Sequence, residues 1–408
     1  MSQPSPRYAA ANSRELQPAS SSEESGNLTG NHLLSHTAQL STSNPVSQVQ
    51  LRVARLDPHA DPRYGAFVAT QPDALIYHHP RWLQVLEQAY GYQPAILACE
   101  DAHGGLHGVL PLFHTRGIIS GDRLTSLPHT PVAGPLASDE QARAALVTGA
   151  IEWARKNQHT VLQIKTALPQ LEAPTERLIR VPWDMIYVLS LPQRPEALRF
   201  GDSRNNARIK WAVGKAARAG VEVKEAETES GLRAWYHLYL DTMRWHRIPP
   251  RSFRFFSVAW EVLRPNGLMR LLLAIQHEGG RRRLLAGSIF LMSGQTVLYA
   301  FNGRDRDALT LRPNDSILWR AIHDAAREGY RQFDFGEVQA SNMGLADFKS
   351  KWGAEPRPLY RYYYPVAREV DTGVLRSGSS VRQLADTIWG RLPLATTAIL
   401  GRCMYDYL

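Results

Sequence analysis

One order of elements occurs twice along this chain and limits the fold more than any other feature: helix, three strands, helix, strand. In the first half, His79-Pro80 opens a helix with Trp82, Val85, Leu86 and Ala89 at 3.6-residue spacing, and Gly91 stops it. Strands follow at Ala95–Cys99, Leu106–His114 and Arg123–Leu127, with a turn at Asp101–Gly105. After a loop over Pro128–Pro135, Ser138 caps a helix that carries Ala142, Leu146, Ala150 and Trp153 on one face; strands at Val161–Lys165 and Met185–Leu189 come next. The second half repeats the order. A helix is marked by Leu232, Trp235, Tyr236, Leu238 and Tyr239, and strands run at Met269–Gln276, Leu284–Met292 and Thr296–Phe301. A helix with Ile317, Leu318, Ala321, Ile322 and Ala325 on one face ends at Gly329, and Arg331–Phe335 is the next strand. A short helix Leu345–Lys351 and a strand Tyr360–Tyr364 close the pattern. A helix between the third and fourth strands demands a crossover, so each sheet is part parallel and part antiparallel. The reading is an α/β (α+β) chain of two tandem units with mixed sheets.

At 408 residues the length suits two domains. Residues 1–48 hold 11 serines and few large apolar side chains, so a disordered tail is expected there. The first domain is drawn over 49–198, the second over 199–368, and a helical tail over 369–408. The formal net charge is +9; the first 48 residues carry −1, leaving +10 on the rest. A basic body fits a phosphate-bearing or polyanionic partner, and it also fits plain solubility. The two cysteines, Cys99 and Cys403, have no partners at metal-ligand spacing, which excludes a disulfide framework and a zinc ribbon. No apolar run reaches membrane-span length and no secretory pattern opens the chain, so the expected location is cytoplasmic, with peripheral contact to the inner membrane left open.

Two segments carry charge patterns of their own. A helix from Arg204 to Ala219, capped by Ser203 and ended by Gly220, puts Arg204, Arg208, Trp211, Lys215 and Arg218 on one face. That face is either a solvated surface or a phosphate-binding rail. Beyond the Gly/Ser break at 372–380, an apolar helical face interrupted by Pro393 reads as a helical hairpin or as a membrane-surface anchor over 381–408.

No G-x-S-x-G, H-E-x-x-H, Walker A or G-x-G-x-x-G pattern occurs, which disfavours serine hydrolases, zincins, P-loop enzymes and Rossmann dehydrogenases. What stands out is in the second half. Asp241–His246 closes a helix, Tyr299–Arg304 ends a central strand, Phe333–Glu337 ends the strand after the crossover helix, and Leu345–Gly353 follows. Ligands bind at strand C-terminal ends in open α/β sheets, so a site is expected between strands 296–301 and 331–335. Asp334 is a carboxylate inside an apolar strand. It either serves the chemistry or caps the next turn, and Lys349 either serves or pairs with a surface acid.

The string LRPNDSILWRAIHDAAREGYRQFDFGEVQASNMGLADFKSKWGAEPRPLYRYYY resembles the second GNAT domain of Fem-type acyl- and aminoacyltransferases. TMRWHRIPP, HPRWLQVLEQAYGY, GVLPLF and RLTSLPHTPVAGPLA are similar to the same group, and the resemblance covers roughly residues 50–365. It implies two tandem GNAT-like domains and transfer of an acyl or aminoacyl group to an amine or hydroxyl of a cell-envelope or exopolysaccharide precursor. The runner-up is a non-catalytic scaffold of the same fold docked at a membrane beside a polysaccharide assembly system. The catalytic candidates are Asp334, Glu337 and His246 as proton acceptors and Tyr299 as proton donor to the leaving group. Arg244, Asn302, Arg304, Phe335, Gly336, Lys349 and Trp352 are substrate-binding candidates. Arg204, Arg208, Asn314 and Ser316 are donor-binding candidates. No metal or tightly bound cofactor is expected. The donor is acyl-CoA or aminoacyl-tRNA, with tRNA not favoured, and the acceptor is a small molecule or a lipid-linked saccharide or peptide. One departure matters: Leu311–Ser316, ahead of the crossover helix, has no glycine, and Pro313 removes a backbone donor.

Overall fold

Helix starts follow the nearest side-chain acceptor, and twice this is one residue from the expected cap. The computed structural model describes residues 50–117, 121–159, 161–171, 178–278 and 280–365. The expected tail over 1–48 and the helical segment over 369–408, with its membrane reading, lie outside the described residues.

The first half begins with β1 (Arg52–Arg55), α1 (Pro62–Thr70), α2 (Pro80–Tyr90), β2 (Gln93–Pro94), β3 (Leu97–Glu100) and β4 (Leu106–Leu110). It continues with β5 (Phe113–Gly117), β6 (Gly121–Thr125), β7 (Leu136–Ala137), α3 (Glu140–Lys156), β8 (Val161–Thr166) and β9 (Ile179–Ser190). The second half runs α4 (Ser203–Arg218), β10 (Val221–Glu225), α5 (Glu229–His246), α6 (Phe253–Leu263), β11 (Met269–Glu278) and β12 (Arg281–Ser293). It ends with β13 (Thr296–Arg304), α7 (Pro313–Arg327), β14 (Gln332–Val338), α8 (Met343–Lys351) and β15 (Glu355–Pro365). Asp139, not Ser138, caps α3 by accepting the Ala142 N–H at 2.7 Å; the Ser138 hydroxyl donates to the His107 carbonyl instead. Asp202, not Ser203, caps α4 through the Asn205 N–H at 2.7 Å.

The expected strand Leu106–His114 is two strands. Pro111 has no N–H to give a ladder. There the chain leaves β4, in a four-stranded sheet ordered β1-β3-β4-β7, and enters β5, in an eleven-stranded one. The large sheet has the order β10-β11-β12-β13-β14-β9-β15-β8-β6-β5-β2. Both expected crossovers are present: β6 and β8 are parallel across α3, and β13 and β14 are parallel across α7. The halves exchange their last strands. β9 pairs with β14 of the second half, and β15 pairs with β8 of the first. The expected strand at 185–189 is the middle of this longer exchanged strand.

Separate apolar clusters pack under α7 and under α3, and a third joins the halves, where Trp82 of α2 meets Phe255 of α6 edge-on at 6.1 Å. Strand β13 lies so close to α5 that a Cβ on Gly303 would stand 2.6 Å from the Tyr239 backbone nitrogen. Gly303→Ala is expected to lower stability by about 1–3 kcal/mol, read as a lower denaturation midpoint. An unchanged midpoint would show that helix and strand separate without cost.

Candidate functional site

Strands β13 and β14 form a fork. They pair only at Thr296↔Gln332, Val297↔Phe333 and Leu298↔Asp334, and β13 then runs on to Arg304 with its β14-facing edge unpaired in the sheet. Two irregularities open it. Ile289 faces Phe301 while Phe290 faces Tyr299, so Ala300 is an extra, bulged residue in β13. On the far edge of β14, the register slips between Asp334 and Glu337, where Gly336 takes φ +78°, a conformation that suits glycine.

The α7 side of the fork carries Tyr299, Asn302 and Arg304. Tyr299 stacks on Phe290 at 5.6 Å and meets Phe335 edge-on at 6.4 Å. Burial pushes its phenol up to about 12, offset in part by a hydrogen bond with Ser288. Asn302 Nδ2 donates to Ser288 Oγ at 3.1 Å and to Asn314 Oδ1 at 3.2 Å, tying the strand end to the first turn of α7. In the same turn, buried Asp315 accepts from Lys351 Nζ at 2.9 Å. Arg312, just before α7, holds its guanidinium 5.7 Å from the Trp211 ring of α4, and Lys215 lies 5.6 Å from the same ring. Helix α4 contains no acidic residue, and its Arg204 and Arg208 are exposed. This gathers a cationic surface beside a helix N-terminus, a setting that favours anions.

Arg304 ends β13 against α5. Its N–H donates to Thr242 Oγ1 at 2.9 Å, and its guanidinium lies 5.2 Å from Trp245 and 3.4 Å from His246 Nε2. Burial, then the Arg304 charge, lowers the pKa of His246. Arg244 is paired with Asp241 at 3.1 Å.

The opposite face carries the carboxylates. Asp334 is 4 % exposed and its Oδ1 accepts the Gly336 N–H at 2.7 Å. Burial pushes its carboxyl up to about 6; that hydrogen bond and the charges of Lys349 and Arg357 pull the other way. Lys349, equally buried, donates to the Gly336 carbonyl at 2.9 Å and the Glu337 carbonyl at 3.2 Å, so it braces the bulge instead of pairing with a surface acid. Burial lowers it to about 8. Burial likewise raises Glu337, against the pull of Arg361.

The sequence reading thus divides. Tyr299, Asn302, Arg304, Asn314 and Ser316 gather at the α7 side of the fork, with Arg204 and Arg208 on the neighbouring helix. Asp334 and Tyr299 do not share a face: Asp334 aligns with Leu298, and successive strand residues alternate. Asp334 also caps the turn that follows it. Phe335 and Trp352, at 2 % and 0 % exposure, pack in the core under α7 and are not open binding surfaces. Sequence reasoning missed the Ala300 bulge, which leaves no compositional mark. It also missed Lys165, a fully buried lysine donating to the Leu127 and Thr130 carbonyls and lowered to about 7 by burial. A charged residue inside the apolar strand VLQIKT was the available signal.

Residues 201–350 match the family description of an acetyltransferase (GNAT) domain. The fold is similar to the crystal structure of FemX, at a TM-score of 0.60 and 14% identity over 77% of this chain and 97% of that one. It is also similar to L-PGS from Bacillus licheniformis, with a TM-score of 0.53 and 13% identity over 83% of this chain and 99% of that one. A protein of unknown function from Bacteroides thetaiotaomicron VPI-5482 gives 0.52 and 11% identity over 77% and 99%. At these identities the likeness is one of fold. Comparison with curated protein sequences gives no match. Among the described residues no helix is long and apolar enough to cross a membrane.

Proposed function

We propose that this chain, whose residues 201–350 match a GNAT domain and whose fold is similar to that of FemX, is a GNAT and Fem-type acyltransferase that transfers an acyl group from acyl-CoA to an amine or hydroxyl of a cell-envelope or exopolysaccharide precursor. The observation that carries this reading is the fork, open on the α7 side beside a basic helix and on the other side beside Asp334. The donor enters from the α7 side. Arg312, Arg204 and Arg208 face its phosphates, with Asn314 and Ser316 at the helix N-terminus.

The acceptor approaches from the other face. Its nitrogen bonds to the thioester carbon while the C–S bond breaks. A protonated acceptor first passes one proton through Asp334 to solvent. As the amide forms, Asp334 takes the second proton and Tyr299 protonates the departing thiolate; solvent resets both groups. The edge of β13 beyond Leu298 offers backbone N–H groups to the oxyanion.

The test is acetyl-CoA consumption, followed as free thiol, with amino-sugar and peptide precursors as acceptors. Thiol released in step with acylated acceptor is expected. Failure of the folded protein to bind acetyl-CoA in calorimetry contradicts the reading. The donor surface has its own check. Arg204→Glu combined with Arg208→Glu is expected to weaken acetyl-CoA binding about tenfold and to flatten its salt dependence. Unchanged affinity across a salt series would make that face of α4 a solvated surface only.

A further inference from the structure

On the face of the fork away from α7, loops of the first half close over the large sheet and leave a cavity of about 230 Å³. Asp334, Gln332 and Thr296 line it from the fork, Arg357 from β15, and Thr166 and Arg143 from the first half. Its polar groups are incompletely matched. Among the described residues the one side-chain hydrogen bond of Asp334 is to the Gly336 N–H, and Arg357 and Lys349 act on it only through space. Arg357 donates to Gln332 Oε1 at 3.3 Å. Arg143 pairs with Glu140 through Nη1, but its buried Nε has no hydrogen-bond partner. Asp73 also lines the cavity. A nearly dry carboxylate with no ion pair in contact, in a cavity where Arg143 Nε lacks an acceptor, is costly unless something else completes both.

We infer that this cavity holds the reactive end of the acceptor: a compact unit bearing a primary ammonium for Asp334 and an oxygen acceptor for Arg357 and Arg143. The volume equals that of about seven or eight waters in the liquid, so it admits about a dozen covalently linked heavy atoms. That is the size of one amino acid or one amino sugar. Asp334 marks the last residue pair before the fork opens, so an amine held there lies at the mouth of the fork. The name acceptor rests on the acyltransferase reading; the binding itself does not.

The probes are L-alanine and glucosamine, each titrated calorimetrically into the full chain without donor, with N-acetyl-alanine and N-acetylglucosamine as partners lacking the ammonium. Units of this size bind with dissociation constants of about 1 mM. The expected result is binding of one or both amines and of neither acetylated partner. Which amine binds separates an amino-acid end from an amino-sugar end. Asp334→Asn keeps an oxygen for Gly336 and is expected to weaken binding about tenfold or more. Arg143→Met, distant from the fork strands in sequence, is expected to weaken it severalfold, and thermal melting verifies that both variants fold. No binding of either amine at about ten times the expected constant overturns the inference, as does binding equal in wild type and both variants. Amine binding without acyl transfer would contradict the acyltransferase reading alone. Acetyl-CoA binding and turnover without amine binding in this cavity would contradict the cavity alone.

Discussion

Tyr299→Phe is expected to lower kcat by about 100-fold or more while KM for acetyl-CoA stays within about twofold. The substitution keeps the ring stacked on Phe290 and edge-on to Phe335, so the fork retains its shape. What is lost is the hydroxyl. Burial pushes that phenol up to about 12, so it carries its proton at neutral pH, as the proposed donor to the departing sulfur must. An interaction made only as the C–S bond breaks acts on kcat and leaves ground-state binding alone. The check is steady-state kinetics on thiol release, with melting temperature as the control for folding. An unchanged kcat with a raised KM would make Tyr299 a wall of the donor site and nothing more.

Asp334→Asn changes the pH dependence of stability by up to about 3 kcal/mol. The carboxyl is pushed up to about 6 from an ordinary value of 3.8 because it is buried inside a strand. In the window between those values the folded protein keeps a proton that the unfolded chain has released. Stability from Asp334 is therefore full below about pH 4 and is lost as pH rises through about 6. Asparagine does not titrate, so the difference in unfolding free energy between wild type and variant should shift against wild type from pH 4 to pH 7. Urea melts across that range measure it. Glu337, also raised by burial, is present in both proteins and cancels in the difference. A flat difference would mean that water reaches Asp334. With Asp334 as the proposed general base, activity is expected to rise through about pH 6, since a general base works as the carboxylate.

The doubled element order was legible because it rests on local chemistry. Pro80 and Gly91 bracket α2, and the apolar spacing of Ile317, Leu318, Ala321 and Ala325 marks α7. The parallel pairs followed from the crossover helices alone. Helix α6 was missed because its phenylalanines, at 253, 255 and 256, follow Pro249-Pro250 without a long periodic run. The exchange of β9 and β15 could not be read, because strand partners are chosen by tertiary packing and nothing local to either strand names its neighbour. At the site, Asp334 and Tyr299 were found as polar groups at strand ends. Their opposite faces depend on a register that only the pairing of Leu298 with Asp334 sets. The Ala300 bulge is invisible in sequence because alanine fits a regular strand equally well.

In the proposed reaction the fork between β13 and β14 receives an acyl thioester from the α7 side. Amide hydrogen exchange with and without saturating acetyl-CoA tests it most directly. Slowed exchange is predicted at Ala300–Arg304 and at Asn314–Ile317, the strand edge and the helix N-terminus that would hold the donor. Binding that leaves these amides unchanged, with protection only around residues 71–75 and 132–137 across the sheet, would contradict it.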